Sequence, residues 1–210
     1  MFVINGTNNN DIINGTSQDD IIFAMSGDDK VSGWFGDDII LGGFGDDTLQ
    51  GNEGNDSIRG GFGDDGLGGG IGNDILSGGN GNDKLYGQMG NDILYGGDGE
   101  DDLNGGLGDD SLQGGFGKDV LNGGFGNDSF VFSSLAEGAD LIEDFTIGQD
   151  RIVIEQASFG ATSTNQFSYD STTGALSFDA IASDSVPPTM FAVLDNIPVG
   201  FSPAADIFLV

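Results

Sequence analysis

The stretch that decides the fold reads Gly60-Gly-Phe-Gly-Asp-Asp-Gly-Leu-Gly68, and the next nine residues, Gly69-Gly-Ile-Gly-Asn-Asp-Ile-Leu-Ser77, repeat it. The same pattern runs without insertion or deletion from Gly6 to Val131, which is 126 residues or 14 repeats of nine. The sixth position is Asp and the eighth is apolar in all 14 repeats, while Gly holds the first position in 13 and the fourth in 12. A single turn rich in Gly and Asp would mean little, but 14 in register indicate a repeat architecture.

The repeat predicts short strands joined by tight turns. A three-residue segment centred on the apolar eighth position can form a strand with one side chain inward and two outward. The other six residues must turn the chain, and the glycines at positions one and four suit backbone at positive φ. Two repeats then make an 18-residue coil, and seven coils stacked at ~4.8 Å bury the apolar positions in a stack of roughly 34 Å.

The invariant Asp residues are predicted to stack in two columns, because odd-numbered repeats lie on odd and even-numbered repeats on even. Each column of seven turns has six gaps, which gives 12 potential cation sites. Calcium takes about six to eight oxygens from carboxylates and backbone carbonyls, and stacked Gly-Asp turns supply both. The repeats carry 24 acidic and 4 basic residues, a net charge of −20. Twelve divalent ions would therefore roughly neutralise an array that otherwise repels itself.

The repeats resemble the RTX, or haemolysin-type, calcium-binding nonapeptide Gly-Gly-x-Gly-x-Asp-x-apolar-x, which Gly60–Gly68 and Gly123–Val131 match fully. The resemblance covers about 60% of the chain. It implies an all-β fold, a right-handed parallel β-roll of about seven to eight coils, that holds about eight to 12 Ca2+ ions. The implied carboxylate ligands are Asp11, Asp20, Asp29, Asp38, Asp47, Asp56, Asp65, Asp74, Asp83, Asp92, Asp101, Asp110, Asp119 and Asp128. The implied carbonyl ligands are Gly36, Gly45, Gly54, Gly63, Gly72, Gly81, Gly90, Gly99, Gly108, Gly117 and Gly126.

The two ends of the array depart from the motif. The first three repeats carry other residues where the motif has Gly, namely Thr7, Asn9, Thr16, Gln18, Ala24 and Met25, so we expect eight to 12 ions and not necessarily all 12. After Val131, residues 135–143 and 145–153 keep Gly at four, Asp at six and an apolar residue at eight. We interpret them as two half-coils that close the roll. Asp140 and Asp150 are then either further calcium ligands or ordinary Asp residues at strand edges.

The remaining residues differ in texture, which predicts a β-roll domain at 1–153 and a C-terminal cap at 154–210. Residues 166–170 and 175–179 alternate like a hairpin, residues 190–194 and 206–210 are apolar strand candidates, and Pro187-Pro188 marks a loop,. A repeat array needs such a cap because its last coil would otherwise expose core and strand edges. The tail also resembles the uncleaved C-terminal region that a type I secretion apparatus recognises.

Composition narrows the function classes. A net charge of −30 with only 5 Lys and Arg argues against nucleic acid as a partner,. Cys is absent, and no apolar run approaches the ~20 residues of a transmembrane segment,. Met1 to Asn5 lead straight into the first repeat, so we expect no cleavable signal peptide, and the resemblance implies a secreted, extracellular protein. His is absent, which excludes the His-Glu-x-x-His zinc site and nucleophile pairs built on His,.

Three functions stay open. The first is a non-catalytic structural or interaction protein that folds on binding extracellular calcium. The second is an accessory carbohydrate-binding, ice-binding or adhesive module. The third is a hydrolase or epimerase that uses paired carboxylates such as Asp37-Asp38, although position five is better explained as a turn residue beside the ligand.

The two outer faces are predicted to differ. At positions seven and nine, three of 14 side chains are apolar or aromatic in odd-numbered repeats, against eight of 14 in even-numbered ones. On the even face Ile21, Phe23, Ile39 and Leu41 would adjoin, and such a patch normally marks a contact. We expect the tail to fold back over the even face near residues 93–131, and a second copy of the chain, forming a homo-oligomer, to cover the distal patch.

Overall fold

The computed structural model describes residues 1–179, 187–196 and 199–210, which wind into a parallel β-solenoid of about eight turns. Its strands form two sheets that face each other across the apolar core. This confirms the all-β roll expected from the repeat.

The strands of even-numbered repeats form a ten-stranded sheet, here called the even sheet. In spatial order its strands are Phe2–Asn5, Asp20–Ser26, Ile39–Phe44, Ser57–Phe62, Ile75–Asn80, Ile93–Asp98, Ser111–Phe116, Ser129–Phe132, Arg151–Ile154 and Ile207–Leu209. The strands of odd-numbered repeats form an eleven-stranded odd sheet. Its order is Phe167–Asp170, Ala175–Phe178, Thr189–Leu194, Asp140–Ile142, Val120–Phe125, Asp102–Leu107, Lys84–Met89, Gly66–Ile71, Thr48–Glu53, Lys30–Phe35 and Ile12–Asn14.

Within the repeats every strand pairs in parallel with the strand 18 residues away. Ile39 lies opposite Ser57, for example, and Leu49 opposite Leu67. Odd repeats therefore stack on odd and even on even, as predicted from the period. An 18-residue offset places identical repeat positions side by side on neighbouring strands, so the hydrogen-bonding groups of successive coils match.

The strands are longer than the predicted three residues. Between Lys30 and Phe125 each spans six, covering positions seven to nine of one repeat and one to three of the next. Position two takes a positive φ (+122° at Gly43), which bends the strand while the following residue keeps its parallel partner. Trp34 and Asn52 hold the same conformation at φ +82° and +83° without being glycine. Positions one to three, which are half of the six residues expected to form the turn, therefore belong to the strand.

The core is a double row of single side chains. The position-eight residues from Ile22 to Phe130 are all buried, and most, such as Leu76 and Leu85, have no exposed surface. Position one also faces inward, as the buried Gly42 and Ala24 illustrate. Each repeat therefore contributes one large apolar group, and the remaining interior is glycine backbone.

The C-terminal residues extend both sheets and close the end of the roll. Asp140–Ile142 and Arg151–Ile154 pair with the last repeat strands, as predicted for two half-coils. Thr189–Leu194 then pairs with the first of these, Ile207–Leu209 pairs with the second, and the predicted hairpin 167–170/175–178 completes the odd sheet. Short helices at Gln156–Phe159 and Pro203–Asp206 and a 3-10 turn at Thr164–Gln166 connect these strands.

An aromatic cluster forms the core of this cap. Phe159 packs against Phe167, Phe178 and Phe191 with ring centroids 5.7 to 6.3 Å apart. Because the described tail strands continue the sheets along the axis, they do not fold back over residues 93–131, and Tyr95 on the even sheet stays 43% exposed. That expectation was wrong: pairing with the open sheet edges satisfies the tail backbone, which lying across the even face would not do. The division between residues 153 and 154 stays a prediction.

We expect Leu76→Ala to destabilise the calcium-loaded protein by about 2–5 kcal/mol, because the side chain is fully buried and its removal leaves a cavity in a one-residue-deep core,. Chemical denaturation with calcium in excess measures this. The adjacent Ile75→Ala is the control: Ile75 is 46% exposed on the even sheet, and its loss should cost less than about 1 kcal/mol,. Equal losses would contradict the placement of the core.

Candidate metal centres

The position-six carboxylates form two buried columns, one along each edge of the roll. Asp20 to Asp128 are each at most 2% exposed, and Asp11, at the open end, is half-buried. Asp140 and Asp150 continue the odd and the even column, respectively. The 18-residue period brings the 14 repeat carboxylates into line, and Asp140 and Asp150 join the columns at offsets of 21 and 22 residues, whichever of them bind metal.

One oxygen of each carboxylate holds the columns together. The backbone N–H of every position-six Asp donates to Oδ1 of the Asp in the following coil, at 2.7 to 3.2 Å. Asp38 receives this bond from Asp20 and passes one on to Asp56. This oxygen is satisfied without any ion.

The other oxygen is buried without a partner in eleven turns. No donor among the described residues reaches Oδ2 of Asp29, Asp38, Asp47, Asp56, Asp65, Asp74, Asp83, Asp92, Asp101, Asp110 and Asp119. A buried carboxylate oxygen without a donor is costly, and eleven of them at equivalent positions call for a positively charged partner.

Position-one glycine makes room for this oxygen. A Cβ on Gly33 would overlap Oδ2 of Asp38 and lie 2.9 Å from the carbonyl oxygen of Gly51 in the next coil. The φ of Gly33 is not positive, so the expectation that position-one glycines serve a left-handed backbone was wrong. Glycine suits this position because the carboxylate fills most of the space that a side chain would take, although repeat three holds Ala24 there.

Position-four glycine has the left-handed backbone, with φ from +108° to +152° between Gly27 and Gly126. A Cβ on Gly54 would overlap the carbonyl oxygen of Gly36, which points along the column from the coil before. No turn N–H in the described part of the chain donates to these position-four carbonyls. The turns therefore present unpartnered carbonyl oxygens as well as unpartnered carboxylate oxygens.

Position five carries a second ladder that the sequence reasoning treated only as turn chemistry. The side-chain oxygen of Asp37 accepts the backbone N–H of Asn55, whose own side chain accepts that of Asn73. These exposed bonds run in the opposite direction to the buried Asp ladder. Asp or Asn at position five in 12 of 14 repeats was the available signal, because both types present the same acceptor,.

Burial and mutual repulsion make the carboxylates difficult to ionise. Burial raises the pKa of Asp56 to about 7, and the charges of Asp74 and Asp38 add to it against the opposing N–H of Asp38. Burial likewise raises the pKa of Asp140 to about 8, helped by the Asp119 carboxylate. A bound cation would favour the ionised form instead. The carboxylates in these columns are therefore stable when they bind a metal ion or a proton, and unstable when they are ionised without a partner.

The ends of the columns differ. Burial raises the pKa of Asp20, but hydrogen bonds from Thr16 and Phe2 lower it by more. The pKa of Asp20 therefore lies below its usual range. Oδ2 of Asp11, Asp20 and Asp150 each accepts a backbone N–H from the residue four positions earlier. These three carboxylates therefore need no cation to be satisfied.

The donor set of the interior turns fits calcium. The oxygens are hard carboxylate and carbonyl donors, which calcium prefers over nitrogen or sulfur. Among the described residues no three acidic, His or Cys side chains form a metal-binding group, so carbonyls must complete any coordination shell. A shell made from two successive turns is the arrangement that the geometry allows.

A parallel β-roll whose stacked Gly-Asp turns offer such oxygens is a calcium-binding repeat module. The chain belongs to the family of the RTX calcium-binding nonapeptide repeat, whose haemolysin-type model matches residues 5–40, 35–67, 68–103 and 95–130. Calcium binding is thus the property that family, fold and donor set share.

Two solved structures are similar in part. The solution structure of the AlgE6R3 subunit of the Azotobacter vinelandii mannuronan C5-epimerase shares 27% identity over 70% of this chain and 78% of that one, with a TM-score of 0.39. The crystal structure of the extracellular lipase LipA from Serratia marcescens shares 17% identity over 100% of this chain and 40% of that one, with a TM-score of 0.31. At such TM-scores neither likeness bears on function.

No curated protein sequence matches the chain significantly. None of the helices in the described residues has the length and apolar character that a membrane crossing requires.

The raised pKa values predict that protons can substitute for metal. The folded pKa values of about 6 to 7 at Asp38 and Asp56 exceed the unfolded value of ~3.9,. The metal-free roll therefore binds more protons than the unfolded chain, and its stability increases as pH falls through this range. In excess chelator we expect the β signal in circular dichroism to grow from about pH 7 to about pH 5, above the sequence pI of about 4.1,. A signal that is constant or decreasing over this interval would contradict the assignment.

Proposed function

We propose that this protein is a calcium-folded structural and interaction module without catalytic activity. Calcium ions would lie between successive turns of each column, bound by the unpartnered Oδ2 atoms of the interior Asp residues and by the carbonyls of the position-four glycines, Gly36 to Gly126. The observation that carries this proposal is the set of eleven buried Oδ2 atoms without a donor among the described residues. We expect about eight to 12 ions per chain.

Calcium would act mainly on folding. The 18-residue coil buries only two large apolar side chains, which offset little of the backbone entropy lost on ordering,. The array carries a net charge of −20, and stacking brings its carboxylates into two lines. Ions that bind only the stacked turns convert their binding free energy into folding free energy.

The coupling of folding to calcium binding would make the folded state depend on the compartment. Sites of this type in extracellular modules need about 0.1–1 mM calcium, so cytosolic calcium would leave the chain unfolded and extracellular calcium would fold it. We therefore propose that the protein acts outside the cell and that a type I apparatus exports it before it folds. Its high charge and calcium-loaded rigidity support a role as a spacer or adhesive module.

A calcium titration followed by far-UV circular dichroism tests the proposal. We expect a largely unfolded spectrum in excess chelator at pH 7.5 and a cooperative gain of β signal with a midpoint in the range of about 0.1–1 mM calcium. Magnesium at the same concentration is the control, since it demands near-octahedral geometry and gives up its waters reluctantly. A complete β spectrum in chelator, or an equal response to magnesium, would refute calcium-driven folding.

We also propose that a second copy of the chain contacts the even sheet. The apolar patch there comprises Ile21, Phe23, Ile39, Leu41, Phe44 and Phe62. Ile39 is 43% exposed, and the rings of Phe44 and Phe62 stack at 4.9 Å while more than half exposed. Sequence reasoning missed these two rings because position three was assigned to the turn, whereas it lies on the strand. Apolar surface of this extent supports a protein contact.

Light scattering of the calcium-loaded protein checks this contact. We expect an oligomer for the native chain and a monomer for Ile39→Asp, because a carboxylate would be buried unpaired at the interface. Thr48→Asp, an equivalent exposed position on the odd sheet, is the control and should leave the oligomer unchanged. A native chain that is monomeric at every accessible concentration would end the proposal.

A further inference from the structure

The first two turns of the roll are built differently from the twelve that follow. In repeats three to 14 position two has a positive φ, both at the glycines and at Met25, Trp34, Asn52 and Gln88. Thr7 and Thr16, which hold this position in repeats one and two, do not. Thr is β-branched and avoids positive φ, so the sequence itself keeps these two turns out of the interior conformation.

The altered backbone closes a hydrogen bond that the interior turns lack. The N–H of Thr7 donates to Oδ2 of Asp11 at 2.6 Å, and the Thr7 hydroxyl donates to the same atom at 2.9 Å. The N–H and hydroxyl of Thr16 bind Oδ2 of Asp20 at 2.7 and 2.9 Å. In the eleven turns from Asp29 to Asp119 this atom has no partner among the described residues.

The opposite end repeats the N–H bond, whereas the Thr146 hydroxyl donates to the carbonyl of Asp144 instead. Thr146 holds position two of the half-coil 145–153, and its N–H donates to Oδ2 of Asp150 at 2.7 Å. Beside the last strand of the even sheet, the N–H of Ser202 donates to Oδ2 of Asp206 at 2.7 Å. A Thr or Ser four residues before an Asp thus occurs at both ends of the roll, whereas in repeats three to 14 position two is glycine or another residue with positive φ.

We infer that Thr7, Thr16 and Thr146 lock the end turns at Asp11, Asp20 and Asp150 in a calcium-free form, and that calcium is confined to the turns between them. The inference rests on the proposed function, which supplies the calcium. Two donors already occupy the oxygen that would face the ion in the first gap of each column, and an ion there would have to displace both. Asp11, Asp20 and Asp150 would then be structural carboxylates rather than calcium ligands.

The locked turns would give the roll ends that hold together without metal. A terminal turn has a neighbouring coil on one side only, so it can share an ion with fewer protein oxygens than an interior turn can. An internal donor instead satisfies Oδ2 of Asp11, Asp20 and Asp150 without a cation,. Eleven of the turns between these ends, six in the odd column and five in the even column, have an Oδ2 without a partner among the described residues.

Native mass spectrometry of the calcium-loaded chain tests this by counting ions. Asp20→Asn keeps an acceptor for Thr16 but removes the charge, and we expect it to bind as many ions as the native chain. Asp74→Asn, in the same column, should lose at least one ion. Loss of an ion from Asp20→Asn would overturn the inference.

Thr16→Gly supplies the complementary test. It removes the hydroxyl and permits positive φ, so the turn can adopt the interior form, and we expect a gain of about one ion. Thr16→Ala removes only the hydroxyl and leaves the N–H in place, so its ion count should stay at the native value. If Thr16→Gly binds no additional ion, the hydrogen bonds from Thr16 to Asp20 are not what keeps calcium out of the end turn. A native chain that binds no calcium would overturn the proposed function itself, a result distinct from both.

Discussion

The constraint on which this structure depends is the stacking of like charges. Two lines of carboxylates, one per edge, are buried at a spacing set by parallel pairing. In the interior turns one oxygen of each carboxylate accepts a backbone N–H, and the other has no partner in the part of the chain that the structure describes. Oδ1 cannot turn to solvent without losing the backbone N–H that it accepts. The roll is consequently a structure whose strands pair regularly while its buried carboxylates lack a positively charged partner among the described residues.

The repeat positions can be understood from this single requirement. Position eight fills the core, and position six brings the charge. Position one leaves out a side chain so that the carboxylate fits against Gly33 and its equivalents, and position four turns the chain while aiming a carbonyl along the column. Position five adds an outer ladder of Asp and Asn acceptors. The motif is therefore a set of contacts between coils, and no single repeat could satisfy it alone.

Most of the fold could be predicted from the nine-residue period of the sequence. An invariant nine-residue spacing with one apolar residue per repeat fixed the coil, the stacking of like on like, and the two Asp columns, because all three follow from counting. It could not give strand length, since Phe44 and Phe62 extend the strand only through a positive φ at position two. Nor could it give the path of the tail, which is set by the open edges of both sheets. The different states of Asp20 and Asp38 depend on which N–H reaches Oδ2, a distance that composition does not encode.

The alternation of repeats between two sheets gives the chain a parity. Removing 18 residues from the array would delete one coil and leave every other residue on its own sheet, in its own column, with the same cap behind it. Removing nine would transfer every later repeat to the other sheet, so that the apolar patch and the polar face exchange partners and residues 140–142 meet the wrong column. Such a roll keeps every residue on its own sheet and in its own column only when it lengthens or shortens by an even number of repeats. The 18-residue coil, rather than the nonapeptide, is therefore the unit by which its length can change.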